Sequence, residues 1–172
     1  MGGIDLASHY YELFKNRRQD VRKVLEIGIG HEGCMGSGYR TGASLFMWEE
    51  FFPNADIYAL DNMTEILINQ GRIHSRWCDQ GSEESLKQVM PFLGRDFDLI
   101  VDDGSHIPEH QALTVRVFAP LLSSRGIYVV EDVWLAHRAT VSYDLAYKFE
   151  WKEFCVNGVV GDLCLVIKAE EQ

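Results

Sequence analysis

The sequence has no long apolar run and few basic residues, and both absences narrow the kinds of protein it can be. Among its 172 residues, no stretch approaches the ~20 apolar positions that a membrane-spanning helix needs, and no signal peptide is evident. Sixteen Lys and Arg against 26 Asp and Glu give a formal charge of -10, which repels a phosphate backbone. We therefore expect a cytoplasmic protein with a small-molecule partner, and neither nucleic acid nor membrane among its partners.

Paired cysteines are also lacking. The four cysteines form no C-x-x-C motif, so neither a disulfide framework nor a zinc finger is favoured. A chain of this length, with 47% apolar residues, is long enough for one core and short for two. We predict a single domain over residues 1–172 and leave its assembly into a homo-oligomer open.

Short β-rich runs alternate with helical patterns along the chain. Strands are predicted at 24–28, 57–61, 97–102 and 126–132, with a further short strand at 73–78. Helices are predicted at 6–16, 43–52, 82–93 and 108–122. This alternation indicates an α/β fold with a doubly wound, mostly parallel sheet. A C-terminal antiparallel hairpin is predicted from strands at 149–155 and 163–168, with turn signals at Asn157-Gly158 and Gly161-Asp162.

A glycine-rich loop follows the first predicted strand. It contains G-x-G-x-x-G at Gly28, Gly30 and Gly33. A nicotinamide-binding fingerprint needs the third glycine to open a helix and an acid ~20 residues further on. Here the helical period starts only after Gly42, and the acid at a strand end is Asp61. The loop therefore favours a nucleoside–amino-acid ligand, whose ribose hydroxyls Asp61 would bind, over a dinucleotide.

Two acidic strand ends are expected to meet at the carboxyl edge of this sheet, where ligands bind in folds of this class. Adjacent strand residues point to opposite faces, so one of Asp102 and Asp103 is expected to be structural. The glycine after them would let Asp103 and His106 turn over the edge together. Without a cation, converging carboxylates repel one another, and Mg²⁺ suits a set of oxygen ligands. The carboxylates predicted to bind Mg²⁺ are those of Asp103, Glu131 and Asp132.

A zinc site is the competing interpretation of the histidines. His106 and His110 are four residues apart, as zinc ligands on a helix can be. The glutamate of H-E-x-x-H is missing, so zinc is disfavoured. The plain alternative for His106 is a hydrogen-bonded loop histidine.

The E-x-G-x-G turn that begins at Glu26 resembles the first motif of the class I S-adenosylmethionine-dependent methyltransferases. In that family an acid ending the second strand binds ribose, matching Asp61, and a later acid lies beside adenine, matching Asp79. The alternatives are a helix cap for Asp61 and a solvated turn for Asp79. The resemblance implies S-adenosylmethionine as the cofactor, bound by Glu26, Gly28, Gly30, Asp61, Asp79 and Asp102.

The segments "DDGSH" at 102–106, "YVVED" at 128–132 and the stretch 41–55 together are similar to the macrocin and mycinamicin sugar O-methyltransferases. These proteins are related to the cephalosporin-hydroxylase-like proteins, and the resemblance covers roughly residues 24–133. It implies Mg²⁺ bound by Asp103, Glu131 and Asp132, and His106 as the general base. A sugar hydroxyl is a poor nucleophile that needs such a metal and base.

The acceptor region is where the resemblance is weakest. The family's Thr-Asp-Lys-Gly-like segment survives only in fragments at residues 3–10, and the loop 133–143 is the one candidate cover for an acceptor. Its side chains, either pocket lining or packing anchors, are Trp134, His137, Arg138 and Tyr143. Two alternatives stay open: a non-catalytic S-adenosylmethionine-binding module and a nicotinamide-dependent oxidoreductase. A serine hydrolase is disfavoured because no G-x-S-x-G motif occurs.

Overall fold

The structure, a computed structural model, describes residues 6–142, 147–156 and 159–168. The strands are β1 (Lys23–Ile27), β2 (Asp56–Asp61), β3 (Asn69–Gln70), β4 (Ile73–Trp77), β5 (Phe97–Asp102), β6 (Leu122–Val130), β7 (Phe149–Val156) and β8 (Val159–Lys168). The helices are α1 (Leu6–Phe14), α2 (Glu32–Met35), α3 (Ala43–Phe51), α4 (Glu83–Leu93), α5 (Pro108–Phe118) and α6 (Arg138–Ser142).

The eight strands form one mixed sheet in the order β3-β4-β2-β1-β5-β6-β8-β7. The central strands β4, β2, β1, β5 and β6 are parallel to one another. The predicted doubly wound, mostly parallel sheet is confirmed, and the strands predicted at 24–28, 57–61, 73–78 and 97–102 agree within one residue. The order reverses at β1, where β2 and β5 pair on opposite sides, so the ligand edge of such a sheet lies there.

Helices cover both faces of the sheet, which explains why its strands are nearly continuous apolar runs. Consecutive residues of β1, Val24 and Leu25, lie in opposite core layers. One layer is closed by buried side chains of α1 and α3, namely Tyr10, Phe14, Leu45 and Trp48. The other is closed by α4 and α5 through Leu86, Val89, Leu93, Val115 and Phe118. Both layers hold the strands in place beneath the candidate site.

The C-terminal hairpin is confirmed, although its details differ from the prediction. Strand β8 pairs antiparallel with both β7 and β6. Gly161 and Asp162, predicted as a turn, lie inside β8. Opposite them, between Phe154 and Cys155 of β7, the pairing register shifts. That turn prediction was wrong because an extra residue in a strand is accommodated as a bulge. The other predicted turn, residues 157–158, lies outside the described residues.

The segment between α5 and β6 also differs from its prediction. The helix expected over 108–122 ends at Phe118, and residues 119–121 form one 3-10 turn. Pro120 has no N–H to continue an α-helix. Strand β6 therefore begins at Leu122, four residues earlier than predicted, and Glu131 and Asp132 follow its last residue. No helix in the described part of the chain is long and apolar enough to cross a membrane.

Candidate active site

The glycine loop after β1 lies directly against the loop after β5. Gly28 has a positive φ of 95°, and a Cβ built on it would lie 2.2 Å from the Asp103 carbonyl oxygen. The Asp103 N–H donates to the Ile27 carbonyl at 2.9 Å, which continues the pairing of the two strands. A residue without a side chain is therefore required at position 28 for this close approach. Gly33 lies within the one-turn helix α2, which the sequence did not predict, and α3 begins only at Ala43.

Asp61 and Asp79 both hold backbone turns at the carboxyl edge. The two carboxylate oxygens of Asp61 accept hydrogen bonds from the N–H groups of Ile29 and Met63, each at 2.9 Å. Asp79 is exposed and accepts from the Gly81 N–H at 2.9 Å, as in an Asx turn. A carboxylate oxygen has a second lone pair, so these bonds leave room for a ligand. The ribose and adenine roles stay predictions.

Glu26 of β1 is a buried carboxyl. It accepts hydrogen bonds from the hydroxyl of Ser44 and the indole N–H of Trp48, both in α3. Burial raises the pKa of Glu26 to about 8, against the opposing effect of these two donors. The side chain is 2% exposed, so its predicted contact with a cofactor would depend on the little surface it retains beside the glycine loop.

Asp102 is fully buried and anchors the loop that follows it. Its carboxylate accepts from the Gln80 amide at 2.6 Å and from the Thr114 hydroxyl, and the Tyr128 hydroxyl lies 3.5 Å away. Gln80 in turn accepts from the Ser105 N–H at 2.8 Å. Burial raises the pKa of Asp102 to about 6. Asp102 is therefore the structural member of the aspartate pair, and its contact with a cofactor stays a prediction.

Three predicted site residues come together past the ends of β5 and β6. Ligand atoms of Asp103, His106 and Asp132 all lie within 4.8 Å of one another. His106 and Asp132 have positive φ angles of 54° and 52°, a conformation uncommon outside glycine and often found at functional sites. Glu131 is not a member of this group of three.

Burial and then repulsion between carboxylates raise the pKa values of the acids at this site. Burial, and then the neighbouring Asp132, raise the pKa of Asp103 to about 7. The pKa of Glu131 is raised well above its ordinary value by burial and by Asp103, whereas the hydrogen bond from the Tyr10 hydroxyl lowers it. The Gln111 amide fixes the Glu131 backbone by donating to its carbonyl at 3.0 Å.

The residues present fit a hard divalent cation. Clustered, partly buried carboxylates are most stable when a cation lies between them, and Mg²⁺ prefers carboxylate oxygens to nitrogen. The buried Nδ1 of His106 has no hydrogen-bond partner among the described residues. An imidazole with a free nitrogen beside a magnesium site suits proton transfer better than metal binding.

Sequence reasoning missed the residues that support this site from a distance. Tyr10 contacts Glu131 across 121 positions of the chain, and Gln80 contacts Asp102 across 22. The Tyr39 hydroxyl lies over Gly30, 3.1 Å from where a Cβ would be. No local motif marks such contacts, although a glutamine next to a candidate cofactor-binding acid was a signal available in the sequence.

Side chains of the predicted acceptor loop differ in their surroundings: some are exposed and others pack against the hairpin. Trp134 is 68% exposed, and its ring stacks near that of His137 with centroids 6.2 Å apart. The Arg138 guanidinium lies 4.8 Å from the Trp151 ring centre, so it packs against the hairpin. Tyr143 lies outside the described residues. Trp134 is thus the side chain of this group best placed to meet a ligand.

The fold and the site define a class: a Rossmann-like class I methyltransferase fold. Structures of the MycE methyltransferase from the mycinamycin biosynthetic pathway are similar to this chain. The complex with Mg and SAH has a TM-score of 0.72 at 26% identity and covers 94% of this chain and 48% of MycE. The complex with Mg, SAH and mycinamycin VI has a TM-score of 0.71 with the same coverage.

Sugar O-methyltransferases are also similar in sequence. Mycinamicin VI 2''-O-methyltransferase of Micromonospora griseorubida is 37% identical over 133 residues, covering 75% of this chain and 31% of that protein. Demethylmacrocin O-methyltransferase of Streptomyces fradiae is 36% identical over 133 residues, with coverages of 75% and 32%. No family model matches. The chain resembles these enzymes as its motifs predicted, and it spans about a third of their length.

Proposed function

We propose that this chain is an S-adenosylmethionine-dependent, Mg²⁺-assisted O-methyltransferase that acts on a small-molecule hydroxyl, in the class of sugars and glycosylated natural products. The observation that carries the proposal is the cluster of Asp103, His106 and Asp132 beside the glycine loop. It occurs in a chain similar to a methyltransferase whose structures contain Mg and SAH. An activated methyl donor, an acid cluster and a base are the parts that hydroxyl methylation needs.

In this proposal the glycine loop and its neighbours bind the cofactor. Gly28 and Gly30 let the backbone approach the ligand, as their positive φ angles allow. Asp61 binds ribose through the lone pairs that its two backbone contacts leave, and Asp79 lies on the adenine side. Glu26 faces the amino-acid end. The sulfonium methyl is already activated, so the protein mainly aligns it with the acceptor oxygen.

Three acidic residues would hold Mg²⁺: Asp103, Glu131 and Asp132. When bound, the cation lowers the pKa of the acceptor hydroxyl. His106 would take the proton of the acceptor hydroxyl on a ring nitrogen. Its Nδ1 is buried without a partner in the described part of the chain, so no hydrogen bond has to break first. A ring nitrogen of His106 lies within 4.8 Å of carboxylate oxygens of Asp103 and Asp132.

The remaining assignments follow from the sequence. We propose one S-adenosylmethionine-binding domain over residues 1–172, with no nucleic acid and no membrane as partner, and a homo-oligomer as an assembly to test. Cys34 and Cys78 are free thiols, as expected in the cytoplasm.

Calorimetric titration tests the cofactor class. S-adenosylmethionine and S-adenosylhomocysteine are titrated into the protein with Mg²⁺ and with EDTA, beside a parallel titration of NADH. We expect micromolar binding of the sulfur nucleosides, about -8 kcal/mol, and no heat from NADH. A response to NADH alone would overturn the proposal in favour of an oxidoreductase.

An acceptor screen then tests the chemistry with His106→Ala. We expect this variant to bind S-adenosylhomocysteine normally and to lose methyl transfer by about 10²- to 10⁴-fold, the usual contribution of a general base. His74→Ala is the matched control. His74 lies in β4, and its ring contacts the Asp56 carboxylate of β2 at 3.2 Å, away from the cluster. Cofactor binding without Mg²⁺ dependence or methyl transfer would instead identify a non-catalytic binding module.

A further inference from the structure

Tyr10 of α1 contacts a predicted metal ligand, Glu131, that is distant in the sequence. Its hydroxyl donates a hydrogen bond to Oε1 of Glu131, 121 positions away. Tyr10 is 4% exposed and Glu131 is 8% exposed, so the contact is shielded from water. A hydrogen bond to a buried carboxylate is stronger than one at the surface.

Packing holds the Tyr10 ring in one orientation. The ring meets Trp48 edge-on, with centroids 4.9 Å apart and planes at 81°. Trp48 is itself tied by its indole N–H to Glu26. The hydroxyl of a ring fixed in this way has a defined position, unlike that of a serine or a surface tyrosine. Phenylalanine would keep the ring contact and remove only the hydroxyl.

We propose that Tyr10 is a positioning residue of the metal site, whose hydroxyl orients the Glu131 carboxylate toward the cation. The inference rests on the proposed function, because it needs Glu131 to bind Mg²⁺. Tyr10 holds one carboxylate oxygen, and Gln111 fixes the backbone carbonyl of the same residue at 3.0 Å. The side chain and backbone of Glu131 are therefore both restrained, and the second carboxylate oxygen remains for the metal.

The charges nearby explain why such a restraint is needed. Glu131 feels repulsion from Asp103, Asp132 and Glu26. A carboxylate repelled on several sides rotates away unless a donor holds it. Partners that orient metal ligands typically contribute 10- to 100-fold to metal affinity.

The experiment compares Tyr10→Phe with Tyr11→Phe, a neighbour in α1 that is 52% exposed. Mg²⁺ is titrated calorimetrically into each protein saturated with S-adenosylhomocysteine, and the nucleoside is titrated separately. We expect Tyr10→Phe to weaken Mg²⁺ binding about 10-fold or more and to leave nucleoside affinity unchanged. Tyr11→Phe should match the wild type in both titrations.

Tyr10→Leu separates the hydroxyl from the ring. This variant loses the Trp48 contact as well, so we expect the same loss of Mg²⁺ affinity together with a lower melting temperature. Wild-type Mg²⁺ affinity in Tyr10→Phe overturns the inference alone. Equal losses of Mg²⁺ and nucleoside affinity, or an unfolded Tyr10→Phe protein, overturn it too, because the hydroxyl would then support the fold. Wild-type protein that binds neither ligand overturns the proposed function itself.

Discussion

Burying ionised carboxylates at this site costs free energy, and a bound cation would reduce that cost. Glu26, Asp102, Asp103 and Glu131 all have raised pKa values, and burial is the largest cause in each case. Stability alone would favour neutral side chains at such positions. Asp103 and Glu131, which also feel the charge of Asp132, therefore point to a ligand rather than to packing.

The pKa of Glu26 predicts how stability depends on pH. Its pKa rises from 4.5 to about 8 on folding, so the folded protein keeps a proton that the unfolded chain releases between these values. The free energy of unfolding should therefore fall as the pH rises through this window, by at most about 1.4 kcal/mol per pH unit for one group. Urea unfolding in EDTA across the window measures the slope, which Glu26→Gln should flatten.

Other groups add to this slope with the same sign. Asp102 and Asp103, with pKa values raised to about 6 and about 7, also favour the folded state at lower pH. Glu84→Gln, on the exposed side of α4, is the control and should keep the wild-type slope. A Glu26→Gln profile parallel to that of the wild type would show that Glu26 does not titrate in this window.

At the scale of elements, loops from different strands hold one another in place. Gly28 and Gly36 have nearly equal φ angles, 95° and 94°, but only Gly28 faces a backbone atom within contact distance. Alanine at either position would have to adopt a positive φ, which costs about 1–3 kcal/mol in backbone strain. At position 28 a Cβ would also collide with the Asp103 carbonyl at 2.2 Å, and overpacking adds about 1–3 kcal/mol.

Gly28→Ala should therefore lower the free energy of unfolding more than Gly36→Ala does, and it should also abolish S-adenosylhomocysteine binding. No described atom lies within 4 Å of a Cβ at Gly36, so that variant isolates the strain common to both. Urea unfolding and calorimetry measure the two effects. Equal destabilisation in the two variants would mean that the loop after β5 yields easily.

A second link joins the loop before α4 to the loop before α5 through Gln80. Its amide donates to Asp102 at 2.6 Å and accepts from the Ser105 N–H at 2.8 Å. Gln80→Leu removes both bonds, including one to the fully buried Asp102 carboxylate, and we expect it to cost about 1–3 kcal/mol in total. Gln88→Leu, whose amide contacts Glu84 on the exposed surface of α4, should change urea unfolding little. Similar values for both would remove Gln80 from the support of the site.

The sequence predicted these elements well where the signal was local. Apolar runs marked β1, β2, β4 and β5 within one residue, whereas β6 begins four residues earlier than predicted. Strand alternation predicted that Asp102 and Asp103 point to opposite faces, and Asp102 bonds to Gln80 and Thr114 while Asp103 lies in the cluster with His106. Contacts made only through folding were not predictable. His106 and Asp132 adopt positive φ angles, which His and Asp tolerate better than most residues but which few of them adopt, and the partner of Tyr10 is set by the winding of the sheet.

At the scale of the whole molecule, charge limits what the acceptor can be. The formal charge is -10, and the candidate acceptor side of the sheet contains Asp103, Glu131 and Asp132. Polyanionic substrates would meet repulsion both at long range and at the site. Neutral or weakly charged glycosides meet neither, and an exposed aromatic side chain such as Trp134 suits the apolar face of a sugar ring.

We therefore predict that the protein does not bind RNA. Fluorescence anisotropy of a labelled single-stranded RNA, at about 0.15 M salt where the Debye length is about 8 Å, should stay unchanged as protein is added. The titration is repeated with Mg²⁺, because a cation on the acid cluster could bridge to phosphate. Binding that weakens steeply with salt, as counterion release requires, would show a basic surface hidden within the net charge. The acceptor would then have to be sought among nucleic acids, because repulsion would no longer exclude them.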